Sequence, residues 1–110
     1  MTTIKIKKQN GKIVAFSANG HTEFQNSGTD IICSAISTLL QSTVLGIKQV
    51  VKAQCKTKKA SGVLNFVLTE MDVQKIDLAQ TLLQTMEISI AEIAKGRSKN
   101  IKLEVENENN

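Results

Sequence analysis

An α+β fold is predicted for this 110-residue chain: a two-layer α/β sandwich with two long helices on one face of a mostly antiparallel sheet. Three observations predict it. Short alternating segments near both ends read as strands, two long stretches carry apolar residues at three- and four-residue intervals, and the elements follow in the order β-β-α-β-β-α-β. Each helical stripe and each alternating strand has one face to bury, and two layers bury them all in the simplest way.

Ile4-Lys5-Ile6-Lys7 alternates with period two, Asn10-Gly11 is a hairpin turn, and Lys12-Ile13-Val14-Ala15-Phe16-Ser17 resumes strand content. Asn19-Gly20 ends the second strand, and residues 22–29 have loop chemistry. His21 therefore falls at a strand end or loop mouth, where functional side chains collect. Asp30 is expected as a helix N-cap, its carboxylate accepting from the free amides beyond it. The stripe that follows runs through Ile32, Ala35, Ile36, Leu39 and Leu40, then Thr43, Ile47 and Val50 or Val51. Gly46 either weakens this helix by up to about 1 kcal/mol relative to alanine or marks a close packing point.

Residues 50–56 are expected as a third strand, 58–62 as a turn and 63–68 as a fourth strand. Thr69 or Asp72 caps a second helix whose stripe of Ile76, Ala79, Leu82 or Leu83, Met86, Ile90 and Ile93 is stopped by Gly96. Residues 101–106 alternate as a closing strand. No internal boundary divides 1–106, and 107–110 are expected as a disordered tail. There is no proline to sharpen these boundaries.

With 41% apolar and 22% charged residues the composition is that of a globular chain. The alternating start is unlike a signal peptide, and no segment is expected to approach the roughly 18 to 20 apolar residues of a membrane span. Together with two cysteines this points to the cytoplasm, where a Cys33–Cys55 disulfide is not expected. The net charge of +4 invites an acidic partner, yet a single arginine and no tyrosine or tryptophan leave little for reading or stacking bases. One histidine and two cysteines do not make a four-ligand metal set, and no cofactor motif is present.

The residues that carry chemistry are His21 and, twelve positions on, Cys33. With Asp30 as cap, Cys33 is the third helical residue, where unpaired amides and the positive helix end favour a thiolate. An imidazole beside it makes a nucleophile and base pair, and the first-turn amides offer an oxyanion site. The same cysteine also reads as a small hydrophobe at the edge of the apolar face formed by Ile36 and Leu40. From the residues alone both readings stand.

Gly20-His21 followed by Gly28-Thr29-Asp30-Ile31-Ile32-Cys33-Ser34-Ala35-Ile36-Ser37 resembles the signature of the bacterial ribosomal-processing cysteine proteases, formerly an uncharacterised small-protein family. The resemblance extends over residues 1–106. It implies a cytoplasmic, homodimeric cysteine endopeptidase without a cofactor. Its substrate would be large-subunit ribosomal protein twenty-seven, from which it removes a short N-terminal extension. It also implies Cys33 and His21 as the catalytic pair, Gly20 and Gly28 as shapers of a loop over the peptide, and Asp30, Ser34 and Ser37 as members of the helix-start signature. Thr22 departs from the family pattern, in which a small alanine is common.

On that basis the 22–29 segment is expected to be mobile until substrate orders it, with Gly28 as a hinge. Asn19, Asp30 and Asn65 are candidates to orient the imidazole. Val44, Leu45, Met71 and Met86 are candidates for a dimer surface. Lys48, Lys52, Lys56, Lys58 and Lys59 are candidates for transient contact with the ribosome. The alternative is a non-enzymatic ribosome-associated binding or assembly factor, whose binding would be salt-sensitive and independent of Cys33.

Overall fold

Alternation in the first twenty residues folds as a hairpin of β1 (Thr2–Gln9) and β2 (Lys12–Gly20). Asn10 and Gly11 at its tip take φ of 51° and 82°, the left-handed pair that a tight hairpin turn demands. The computed structural model describes residues 1–20 and 27–109, and for 27–30 the backbone alone. His21 and Thr22 lie outside the described residues, as does 22–26 of the expected loop.

The chain continues through α1 (Ser27–Leu45), a π-helical segment (Gly46–Val51), β3 (Cys55–Ala60), β4 (Val63–Leu68), α2 (Val73–Ala94) and β5 (Ile101–Glu108). The sheet order is β3-β4-β2-β1-β5. Every neighbouring pair is antiparallel except β1 with β5, which run parallel. The fold class and element order are as expected.

One sheet face carries Ile4, Ile6, Ile13, Phe16, Ala18, Phe66 and Ile101, all buried. Onto it pack Ile36, Leu40 and Val44 of α1, Ile47 just beyond, and Ala79, Leu83, Met86 and Ile90 of α2. Phe16 and Phe66, direct cross-strand partners, stack with ring centroids 4.9 Å apart. Lys5, Asn65 and Lys102 point from the opposite, exposed face, as the two-residue period requires.

One irregularity organises this core. Lys8 pairs with Ile13 but Lys7 with Ala15, so Val14 is an extra residue in β2. The bulge lets Ile13, Phe16 and Ala18 share the buried face, which strict alternation would forbid. Gln80 of α2, itself 5% exposed, serves the bulge: Ile13 N donates to its Oε1 at 2.7 Å and its Nε2 donates to Ile13 O at 2.8 Å.

Several expectations are corrected. Helix α1 begins at Ser27, so Asp30 is its fourth residue rather than its cap, and Gly28 is helical rather than a loop hinge. Aspartate favours both the cap and the first turn, so the residue type leaves the helix start undefined by a turn. Val50 and Val51, where the helical stripe and the expected third strand overlapped, end the π-helical segment; Lys52 then turns left-handed with φ 61° and donates to Ile47 O. The strand expected from residue 50 begins only at Cys55. Residues 58–60 belong to β3, leaving Ser61-Gly62 as the turn.

At the other end β5 extends to Glu108 because Asn107 and Glu108 pair with Lys8 and Gln9. Val44 and Met86 are buried in the core, so of the dimer candidates only Leu45 and Met71 are exposed. Finally, Ile31–Val51 is long and apolar enough by length and composition to cross a membrane, with a mean hydropathy of 1.5, contrary to expectation. Its Ile36, Leu40, Val44 and Ile47 are instead buried in the core shared with the sheet.

Two expectations hold in detail. Asp72 caps α2, its carboxylate accepting from Lys75 N at 3.1 Å. Gly46 is a packing point, since a Cβ there would sit 3.0 Å from Leu82 Cδ1.

Candidate active site

The strands β1, β2, β4 and β3 line up so that the start of β1, the end of β2, the start of β4 and the end of β3 lie along one end of the sheet. Above that end passes the first half of α1. Between them lies a cavity of about 370 Å³. Ala18 and Leu64 from the sheet and Ile36 and Leu40 from the helix supply its apolar lining. Crossing from β1 to β3 spans three interstrand gaps, roughly 14 Å. That length matches about four residues of extended peptide.

Cys33 stands in this cavity, half-buried, with Ser34 and Ser37 on the same helix also in the lining. Counted from Ser27 it is the seventh residue of α1. The first-turn amides proposed to serve it therefore belong to the turn before it, and the expectation that Cys33 sits among them is corrected. Its contact is a different one. Thr2 Oγ1 lies 3.7 Å from Cys33 Sγ, joining the start of β1 to the helix.

Gly20 lines the same cavity, which puts the residue preceding His21 beside the thiol's surroundings. It lies opposite Thr2 in the β1–β2 ladder, and its N–H donates to Gly62 O at 3.0 Å. A Cβ on residue 20 would stand 2.7 Å from Thr2 Cα and 2.8 Å from Thr2 Oγ1. Glycine is needed here for close approach, not for its dihedral freedom.

At the far end of the cavity a polar chain closes the wall. Gln41 Nε2 donates to Ser37 Oγ at 2.7 Å, and Lys59 Nζ donates to Gln41 Oε1 at 3.2 Å. Lys59 is thereby engaged, as is Lys48, which donates to Thr57 Oγ1 at 2.9 Å. Of the candidate imidazole-orienting residues, Asn19 and Asn65 are exposed and do not line the cavity. The side chain of Asp30 lies outside the description. The second cysteine, Cys55 on β3, is partly buried, and that burial pushes its thiol up, offset in part by Lys48. Among the described residues no cluster of metal-binding side chains forms.

Sequence reasoning missed Thr2, Gln41 and Lys59 as parts of this site. Thr2 is legible only through the hairpin register. Counting from the Asn10-Gly11 turn without a bulge pairs Thr2 with Asn19; the extra Val14 moves it opposite Gly20. The hint was the break in alternation between Ile13 and Phe16.

A thiol lining a cavity beside the strand end that leads to the chain's sole histidine brings a candidate nucleophile near the point where a candidate base follows in sequence. Comparison with known families agrees: the profile of Cysteine protease Prp matches residues 1–102, and the chain belongs to that family, whose members are cysteine endopeptidases.

Among solved structures, the essential ribosomal processing protease Prp from S. aureus in complex with a substrate peptide aligns with a TM-score of 0.83 at 26% identity, covering 96% of this chain and 100% of that one. The same S. aureus protease with a covalently linked product peptide aligns at 0.82 and 25%, with the same coverage. SMU.848 from Streptococcus mutans shares the fold at 0.82 and 18% identity, over 98% of this chain and 96% of that one. A search of the curated proteins finds no match.

Proposed function

We propose that this endopeptidase removes the N-terminal extension of large-subunit ribosomal protein twenty-seven, with Cys33 as nucleophile and His21 as base. The observation that carries the reading is the position of the Cys33 thiol in an extended cavity whose opposite wall holds Gly20, next in sequence to His21. The substrate is supported by the S. aureus relative, described as a ribosomal processing protease.

In this reading an extended segment of the substrate enters the cavity and presents its scissile carbonyl to Cys33. His21 takes the thiol proton and the sulfur attacks the carbonyl carbon. The tetrahedral intermediate collapses as the imidazolium returns that proton to the leaving amine, leaving a thioester on Cys33. Water then loses a proton to His21 and attacks the thioester. Cys33 recovers its proton and the acid product departs. Gly28, Asp30, Ser34 and Ser37 sit on the helix that carries the nucleophile. Ser34 and Ser37 also line the cavity, where Ser37 Oγ accepts from Gln41 Nε2.

The reading includes a cytoplasmic homodimer in transient contact with the ribosome. Of the four residues considered for a dimer surface, Leu45 and Met71 remain, 54% and 87% exposed. Lys52, Lys56 and Lys58, exposed around the edge strand β3, are the cations left to approach ribosomal RNA.

The test is affinity labelling. A peptide carrying the sequence before the extension's cleavage point and ending in a chloromethyl ketone is expected to alkylate Cys33 and spare Cys55, more slowly in His21→Ala. Labelling that falls equally on both cysteines, or that ignores the histidine, contradicts the assignment.

A further inference from the structure

We propose that Thr2 is a positioning residue for the nucleophile: its hydroxyl donates to the Cys33 sulfur, stabilises the thiolate and holds it toward the cavity. The proposal rests on the reading of Cys33 as the nucleophile. The contact itself is the 3.7 Å separation of Thr2 Oγ1 and Cys33 Sγ. A hydroxyl both donates and accepts, whereas a thiolate only accepts, so on ionisation of Cys33 the bond takes a single direction, from Oγ1 to sulfur. A donor to the charged form favours that form.

What makes the hydroxyl a fixed partner is the backbone beneath it. Thr2 is held on both sides, paired with Gly20 of β2 and with Ile101 of β5, and its N–H donates to Asn100 O at 2.8 Å. Gly20 has no Cβ to push Thr2 away, and a Cβ there would collide with the very Oγ1 that meets the sulfur. Being β-branched, Thr2 has few χ1 rotamers to choose from. Among the described residues Thr2 is the partner that tethers the nucleophile on α1 to the sheet, and Cys33 lies beyond the first turn of its helix. That assigns to a strand residue the role that helix-start amides had been expected to fill.

Thr2→Val removes the hydroxyl and keeps the β-branched shape suited to a strand; Thr2→Ser keeps the hydroxyl. Three readouts are taken on each, with thermal unfolding as a folding control. They are steady-state cleavage of an extension-bearing peptide, the pH profile of iodoacetamide labelling at Cys33 followed by peptide mapping, and the split between kcat and KM.

The expected result for Thr2→Val is a fall of about tenfold in kcat with little change in KM, and slower iodoacetamide labelling of Cys33 at neutral pH. Thr2→Ser is expected to stay near the parent in both. The proposal is overturned if Thr2→Val matches the parent, if it loses cleavage with an unmoved labelling profile, or if Thr2→Ser is as impaired as Thr2→Val. Cys33→Ala separates the two levels. If it is inactive, a normal Thr2→Val removes only the role of Thr2, whereas an active Cys33→Ala removes the nucleophile and this proposal with it.

Discussion

Gly20 and Thr2 face each other so closely that a single added carbon on residue 20 would lie 2.7 Å from the Thr2 Cα. Because the obstructing atom is backbone, no side-chain rotation relieves it. Gly20→Ala is therefore expected to push β1 and β2 apart at the cavity. The expected outcome is a destabilisation of about 1 to 3 kcal/mol by urea unfolding and a larger proportional loss of cleavage. A variant with the parent's unfolding midpoint and activity would mean that the two strands are not held at this spacing.

The register that creates this contact depends on the Val14 bulge, and the bulge on Gln80. Both polar groups of Ile13 engage the Gln80 amide inside the core. Gln80→Leu keeps the volume and removes both bonds, leaving a buried N–H and C=O to find other partners. An unsatisfied buried group costs about 1 to 3 kcal/mol, so the unfolding midpoint should drop markedly. Labelling of Cys33 should change as well, since the strand position of Thr2 is counted through the bulge. Unchanged stability would show that Ile13 is satisfied without Gln80.

How much of this was legible follows from where each signal resides. The strands 63–68 and 101–106, the Asp72 cap and the second helix were readable because each is specified by residues adjacent in sequence. The Cys33 position was readable as a motif, but its helical turn was not, because Ser27, Thr29 and Asp30 are all compatible with a helix start. At Val50-Val51 the helical stripe and the expected third strand overlapped, and the helix prevails there, ending in a π-turn held by Ile47 O. Thr2, 31 residues from Cys33, becomes a neighbour only through sheet register, and no local pattern announces it.

Glu70 gives the loop before α2 a pH signature. Its carboxyl is held below the usual carboxylate range, first by the Gln54 N–H at 2.8 Å, then by the N–H groups of Asp72 and Met71. A depressed carboxyl contributes stability in full above its unfolded value and loses it as pH falls through the folded one. Melting temperatures of Glu70→Gln should therefore lie below the parent's at neutral pH and converge with them in acid. A constant gap across that range would contradict the role given to these bonds.

Cys55 provides an internal reference for thiol chemistry. Burial pushes its thiol up, so its alkylation at neutral pH should be slow, and Cys55→Ser should cleave substrate like the parent. Loss of cleavage in Cys55→Ser with folding intact would move part of the chemistry to β3.

The central claim is that Cys33 performs peptide hydrolysis on an extended ribosomal protein. It is tested most directly by incubating the purified chain, and separately Cys33→Ala, with large-subunit ribosomal protein twenty-seven bearing its N-terminal extension, and measuring product masses. The account predicts one internal cut that releases the extension with the parent and an unprocessed substrate with Cys33→Ala. Processing by Cys33→Ala at the parent's rate, or an intact substrate after incubation with the parent, would contradict it.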